Sequence, residues 1–123
     1  MSLLIVVALH LHYAGYLGKA PGPEDPWIRG LAEHLMQTDA KFYGASWCPH
    51  CAEQKELFGS SARRLPYIEC ASAGPGSRQT AVCNDAGIKN YPTWIINGQR
   101  YMGTQSLDLL AQYSNYKSDG GKP

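Results

Sequence analysis

Two cysteines separated by two residues are the part of this sequence whose side chains could do chemistry. Cys48 and Cys51 flank Pro49-His50, between a strand-like stretch and a helix-like stretch. If the helix begins at this point, Cys48 lies at its N-terminus, where unpaired backbone N–H groups and the helix dipole favour a thiolate. Because a thiolate is the species that attacks a disulfide, the pair indicates thiol–disulfide exchange.

The two residues between the cysteines are expected to tune the redox potential of the pair. His50 would stabilise a thiolate at Cys48 by being protonated, or by pointing a ring N–H at the sulfur. Stabilising the thiolate stabilises the reduced form, so Pro49-His50 favours a disulfide that acts as an oxidant. Cys48, in the exposed first turn, is the predicted nucleophile. Cys51, one turn further, is expected to face the sheet and to prevent trapped intermediates.

The chain has a second pair of cysteines, Cys70 and Cys83. Sequence alone allows three pairings of four cysteines, and the simplest joins the close pair and leaves Cys70 with Cys83. That arrangement implies an oxidising compartment. The preferred interpretation of Cys70 and Cys83 is a stabilising disulfide, which would contribute about 3 kcal/mol through lost chain entropy. The alternative is a redox relay to the first pair or to a membrane partner.

Composition places limits on the class of protein. A chain of 123 residues has room for one domain, and a net charge of +1 without charged blocks does not indicate a nucleic-acid surface. A zinc-binding structural module is the alternative from another class, since four cysteines and four histidines are present. The twelve residues between Cys70 and Cys83 do not fit zinc-ligand spacing. We therefore expect no metal and no cofactor.

The order of predicted elements favours an α/β fold. Helical spacing, strand-like stretches and an Asn-Gly hairpin signal predict the following series. In chain order it comprises a helix over Pro26–Gln37 capped by Asp25, a strand over Lys41–Ser46, the CxxC helix, a strand over Pro66–Cys70, a short helix over Arg78–Ala86, strands over Tyr91–Ile96 and Gln99–Met102, and a helix capped by Thr104 or Ser106. Strand, helix, strand predicts a parallel pair, to which the hairpin adds antiparallel strands. The result is a mixed four-stranded sheet flanked by helices, with Trp94 in the core.

Residues 1–19 form an apolar tail that admits three interpretations. As a helix, residues 1–18 would be about 27 Å long, just short of a comfortable membrane span. The alternatives are a secretory signal, a buried helix and the end of a transmembrane helix. The end of a transmembrane helix is favoured, because no basic residue precedes the apolar run. Residues 20–25 are then a linker, 26–114 the folded domain and 115–123 a disordered tail.

A CxxC pair after the first strand, with a proline before the hairpin, resembles the thioredoxin superfamily over Lys41 to Ser114. In that family the proline has a cis peptide bond and packs beside the cysteines, and the matching residue is Pro92. The resemblance implies a trimmed thioredoxin-like fold, since no strand is predicted before the first helix. It also implies that Trp47, Tyr91 and Pro92 dock an extended substrate segment by strand addition. The alternative for Trp47 is a core position.

Further features are similar to one branch of that superfamily. Pro49-His50 resembles the dipeptide of strongly oxidising periplasmic thiol oxidases. The second cysteine pair, apolar tail and Pro-rich linker resemble the thioredoxin-like domain fused to bacterial, cyanobacterial-type vitamin K epoxide reductase homologues. This resemblance implies an extracytoplasmic, membrane-tethered enzyme, in the periplasm or a lumen, that oxidises cysteines of folding proteins. It would pass electrons to a membrane-embedded quinone reductase domain of that type. A disulfide isomerase or reductase of the same fold is the alternative.

Overall fold

The computed structural model describes residues 22–118. The predicted membrane helix over 1–19 lies outside this range. Among the described residues, no helix has the length and apolar character needed to cross a membrane. The elements follow in the order α1 (Pro26–Gln37), β1 (Lys41–Gly44), α2 (Pro49–Phe58), a 3₁₀ helix (Gly59–Arg64), β2 (Tyr67–Glu69), α3 (Ala81–Asp85), β3 (Thr93–Ile96), β4 (Gln99–Met102) and α4 (Leu107–Tyr113).

The sheet has four strands in the order β2-β1-β3-β4. β1 and β2 are parallel and are connected through α2, whereas β3 runs antiparallel to both β1 and β4. Asn97 and Gly98 form the β3–β4 turn with φ of 51° and 76°, the left-handed conformation that a two-residue hairpin turn of this kind requires. The predicted mixed sheet flanked by helices is thus confirmed, and its arrangement is thioredoxin-like.

The CxxC helix is expected to end near Gly59 or shortly after Ala62, and its α-helical part ends at Phe58. Gly59 follows with a φ of +55°, and a 3₁₀ helix continues from there. α3 differs from the prediction, since it is shorter at both ends. The N–H of Thr80 donates to the carbonyl of Cys70 at 2.9 Å, so the chain before α3 is bound to the end of β2. This contact keeps the loop after β2 close to the sheet.

The core on one face of the sheet fixes the position of α2. Trp94 of β3 is fully buried, as predicted, and its ring packs edge-on against Phe42 of β1 with centroids 4.7 Å apart. The other large buried side chains of this core are Leu31, Leu35, Phe58, Ile96 and Leu110. A smaller buried cluster contains Tyr43, Cys70, Cys83 and Ile88. Apolar burial of this kind is the largest favourable contribution to folding.

The predicted linker over residues 20–25 is described from Gly22 onwards, and its Glu24 is bound to the 3₁₀ helix. Glu24 accepts hydrogen bonds from Arg64 Nε at 2.7 Å, Ser61 Oγ at 2.6 Å and Arg63 Nη2 at 2.9 Å. The hydrogen bonds from Arg64 and then Ser61 are the main causes that lower the pKa of Glu24 to about 2. Asp25 caps α1 by accepting from the N–H of Ile28 at 3.0 Å.

Tyr116, within the predicted tail, packs against the domain. Its hydroxyl donates to the carbonyl of Trp27 at 3.1 Å, and the two rings meet edge-on with centroids 5.5 Å apart. The contact depends on Gly30, because a Cβ there would lie 2.1 Å from the tyrosine hydroxyl. The packed part of the chain therefore extends beyond Ser114, while residues 119–123 fall outside the described range.

Candidate active site

A turn between β1 and α2 carries the CxxC pair. β1 ends at Gly44, earlier than predicted, because the N–H of Cys48 donates to the carbonyl of Ala45 at 3.1 Å and closes the turn. Cys48 is the N-cap of α2 and Pro49 the first helical residue. Proline suits this position because it has no N–H that would need a partner. The sulfur of Cys48 therefore lies at the positive end of the helix dipole, as the sequence predicted.

Cys48 is less accessible than predicted. It is 7% exposed, and its Sγ donates to the carbonyl of Tyr91, with sulfur and oxygen 3.6 Å apart. The expectation of an exposed nucleophile is therefore corrected: the chain before the hairpin covers part of the thiol. The peptide bond between Tyr91 and Pro92 is cis, as the resemblance implied. The structure thus brings Cys48, Tyr91 and Pro92 together from parts of the chain far apart in sequence.

Cys51 lies one turn into α2 and faces the sheet. It is 1% exposed, and a Cβ placed on Gly44 of β1 would come within 2.8 Å of its Sγ. Burial is the main cause that raises the pKa of Cys51 to about 12, and the neighbouring Cys48 side chain adds to the effect. Cys51 thus stays a protonated thiol at neutral pH when the pair is reduced. Both cysteines are free thiols in this structure.

His50 lies on the surface of α2 and not over the sulfur. Its Nδ1 is 3.2 Å from Oε2 of Glu53, one turn along the helix, and both side chains are exposed. Among the described residues, no hydrogen bond joins the imidazole to Cys48, so of the two expected ways for His50 to stabilise the thiolate, the ring N–H contact is not observed. The ring nitrogen pairs instead with a carboxylate three residues along the helix. The His50 side chain therefore belongs to the exposed surface of α2 next to the cysteine pair.

Two aromatic side chains form a wall beside Cys48. Trp47 is 37% exposed, its Nε1–H donates to the carbonyl of Ala71 at 2.7 Å, and its ring meets that of Tyr91 edge-on with centroids 6.0 Å apart. The half-exposed indole is therefore not a core residue like Trp94. Pro92 is buried, and its carbonyl accepts from the N–H of Gly103 at 2.8 Å. We refer to Trp47 and Tyr91 as the aromatic wall.

Cys70 and Cys83 form a disulfide with an S–S distance of 2.06 Å. Both residues are fully buried, in the smaller cluster with Tyr43 and Ile88. A relay to Cys48 requires that one thiol attack a sulfur of the other pair, and attack requires access. Complete burial of both sulfur-bearing residues favours the stabilising role over the relay.

Sequence reasoning missed a buried glutamine that anchors α2. Gln54 is fully buried, and its Oε1 accepts from Trp94 Nε1 at 3.0 Å and from the N–H of Gln105 at 2.8 Å. Its Nε2 donates to the carbonyl of Gln105 at 3.0 Å. A signal was present, because Gln54 lies three residues after Cys51 and so shares its helix face. A polar residue on a buried face needs partners of this kind.

Glu69, at the end of β2, was also missed. Burial acts to raise its pKa, but hydrogen bonds from the Ala71 N–H, the Tyr67 hydroxyl and Ser46 outweigh it and lower the pKa overall. The Ala71 bond is 3.0 Å long and the Tyr67 bond 2.9 Å. The carboxylate therefore joins β2 to the turn that precedes Cys48. Nothing in the sequence distinguishes Glu69 from an ordinary exposed glutamate.

Fold and site together define a thioredoxin-like domain that carries a CxxC pair at the N-terminus of a helix, beside a cis-proline. No family model matches the chain. The chain is similar to the Arabidopsis thaliana protein named thiol-disulfide oxidoreductase LTO1, with 43% identity over 97 residues. The match covers 76% of this chain and 26% of that protein, so the chain corresponds to about a quarter of the relative's length.

Proposed function

We propose that this chain is a thiol–disulfide oxidoreductase domain that oxidises cysteine pairs of folding proteins. The observation that carries the proposal is the asymmetry of the pair. Cys48 lies at the helix N-terminus beside Tyr91, whereas Cys51 is almost inaccessible and has a pKa of about 12. One cysteine is thereby suited to exchange with a substrate and the other to resolution. The name of the plant relative supports the general activity.

The oxidising cycle starts from the Cys48–Cys51 disulfide. A substrate thiolate attacks Sγ of Cys48, the S–S bond breaks, and the electron pair leaves on Cys51, which takes up a proton because of its high pKa. The second substrate thiolate then attacks the substrate sulfur of the mixed disulfide and releases Cys48 as a thiolate. The helix N-terminus stabilises that leaving group. The substrate dithiol loses two electrons and two protons; the cysteine pair gains both electrons and one proton, at Cys51, and the second proton goes to solvent.

Reoxidation requires an acceptor for two electrons. We propose that the acceptor is a membrane-embedded quinone reductase domain of the vitamin K epoxide reductase type, and that residues 1–19 tether this chain to the membrane. The sequence resemblance supports this assignment. An extracytoplasmic location, in the periplasm or a lumen, is supported by the buried Cys70–Cys83 disulfide, since disulfides persist in oxidising compartments.

A zinc-binding module is less well supported by the structure than thiol–disulfide exchange. A four-cysteine zinc module would need Cys70 and Cys83 as thiolates, but they are joined in a buried disulfide. Within the part of the chain that the structure describes, no three acidic, His or Cys side chains are placed to hold a metal ion. A reductase or isomerase would use the same two cysteines, and the redox potential of the pair separates those activities from an oxidase.

The proposal is tested with two matched variants, Cys51→Ser and Cys48→Ser, mixed with a reduced, unfolded dithiol protein in the presence of oxidised glutathione. Cys51→Ser is expected to accumulate mixed disulfides through Cys48, visible on a non-reducing gel and assigned by mass spectrometry. Cys48→Ser is expected to accumulate none, because the remaining thiol is buried. Equal trapping by both variants would show that the assignment of roles is incorrect.

A further inference from the structure

The aromatic wall beside Cys48 is held by a loop whose two ends are joined by the Cys70–Cys83 disulfide. Trp47 donates to the carbonyl of Ala71, the residue directly after Cys70. The hydroxyl of Tyr91 donates to Oε1 of Gln79, in the same loop and shortly before Cys83. Each of the two aromatic side chains thus has its polar atom bound to the segment over residues 71–82.

Gln79 is itself fixed, and it can therefore fix Tyr91. Its Nε2 donates to the carbonyl of Ile88 at 3.1 Å and to Oδ1 of Asn84 at 2.8 Å, and its carbonyl accepts from Asn84 Nδ2 at 3.3 Å. Next to it, the N–H of Thr80 donates to the carbonyl of Cys70 at 2.9 Å. These bonds hold the Gln79 side chain in place, and its Oε1 is left to face the tyrosine.

The other end of the loop is equally constrained. Ala71 is buried, and its N–H donates to the carboxylate of Glu69 at 3.0 Å. Its carbonyl accepts from Trp47 and also from the N–H of Gly74 at 3.2 Å. The disulfide next to it closes the segment at both ends, so a change in its state would affect both contacts to the wall.

We infer that the Cys70–Cys83 disulfide and Gln79 are positioning elements for the reaction at Cys48: they hold Trp47 and Tyr91 where these set the approach of a substrate thiol. The inference rests on the proposed function and goes beyond it, since it gives the second cysteine pair a role that is neither relay nor general stability. None of these groups transfers electrons. Their effect is on substrate affinity, because the wall touches the substrate before exchange and is unchanged by it.

The inference predicts a change in KM alone when the Tyr91–Gln79 hydrogen bond is lost. Loss of the Tyr91–Gln79 hydrogen bond should raise the KM for a dithiol peptide about fivefold, the effect of one ordinary hydrogen bond. Neither kcat nor the redox potential of Cys48–Cys51 should change, because the helix N-terminus is untouched. A role of Gln79 in stability alone would leave the KM of the folded enzyme unchanged.

The test uses the full 123-residue chain with Gln79→Leu, Tyr91→Phe and the double variant, and with Gln112→Leu on the exposed face of α4 as the matched control. Each single variant at the wall is expected to raise KM about fivefold. The double variant should do no more than either, since both remove the same bond. Gln112→Leu should match the parent chain. An unchanged KM for Gln79→Leu, or fully additive effects, would overturn the inference.

A second measurement is independent of activity. Trp94 is fully buried and Trp27 is half-buried, so acrylamide quenching of fluorescence is measured in a Trp27→Phe background, where it reports on Trp47. Gln79→Leu and the Cys70→Ala/Cys83→Ala double variant should both increase quenching. Unchanged quenching in folded Gln79→Leu protein would overturn the inference. If the parent chain does not oxidise dithiols, the proposed function is contradicted instead. The quenching measurement would still show whether Gln79 and the disulfide hold the aromatic wall in place.

Discussion

Replacing Gly44 by alanine would push a methyl group into the floor of the candidate active site. The added Cβ would lie 2.8 Å from Sγ of Cys51, 3.0 Å from Cε2 of Tyr67 and 3.1 Å from Cε1 of Phe42. Cys51 is 1% exposed and Phe42 fully buried, so neither has free space to move into. An alanine at Gly44 therefore requires a shift of the helix that carries the cysteine pair or of the rings in the sheet.

Overpacking of this kind costs about 1–3 kcal/mol. Replacing glycine in a strand recovers about 0.5–1 kcal/mol of chain entropy, so we expect a net loss of about 1–2 kcal/mol. With a urea dependence of about 2 kcal/mol per molar for a domain of this size, the midpoint should fall by about 0.5–1 M. The assay is urea unfolding of the dithiol form, followed by circular dichroism.

Gly22→Ala is the matched control. No atom lies within 4 Å of a Cβ at Gly22, so its midpoint should stay at that of the parent chain. A Gly44→Ala protein as stable as the Gly22→Ala protein would refute the reasoning, because it would show that the contact between β1 and Cys51 is not tight.

Three further predictions concern single side chains. In a Cys48→Ser variant, alkylation of Cys51 by iodoacetamide should still rise from pH 8 to pH 10 without a plateau, since burial, the main cause that raises the pKa of its thiol, is unchanged; a flat profile would contradict this. Glu24, whose pKa is lowered to about 2, stabilises the fold above its unfolded pKa near 4.5, and this contribution should be lost as the pH falls towards 2. Thermal unfolding of Glu24→Gln should lack that part of the pH dependence, and an identical pH profile would count against it. Gln54→Leu should lose about 2 kcal/mol in urea unfolding, because it leaves the buried Trp94 Nε1–H and the partly buried N–H of Gln105 without their partner; a loss within error of zero would show that these groups find other partners.

The elements that could be predicted are those with strong local signals. Asp25 followed by Pro26 marks the start of α1, and the structure begins the helix at Pro26 with Asp25 as its cap. Asn97-Gly98 marks the hairpin, and both residues adopt the positive φ that the turn requires. In each case the side chain or the lack of one fixes the backbone locally, without help from distant residues.

What could not be predicted depends on contacts between distant parts of the chain. The burial of Cys48 comes from Tyr91, and the position of Trp47 from Ala71, neither of which is near it in sequence. No local pattern reports such contacts. The pairing of His50 with Glu53 is different, because a histidine and a glutamate three residues apart on a helix are a recognisable pair. A signal for the His50–Glu53 pair was therefore present in the sequence.

The central claim is that the Cys48–Cys51 disulfide is an oxidant, and its redox potential tests this most directly. Equilibration of the chain with defined ratios of reduced and oxidised glutathione, followed by mass spectrometry of the alkylated thiols, gives the potential. We expect a value more positive than about −180 mV, towards the value of about −120 mV of strong thiol oxidases. A value near the about −270 mV of thioredoxin would contradict it and would indicate a reductase.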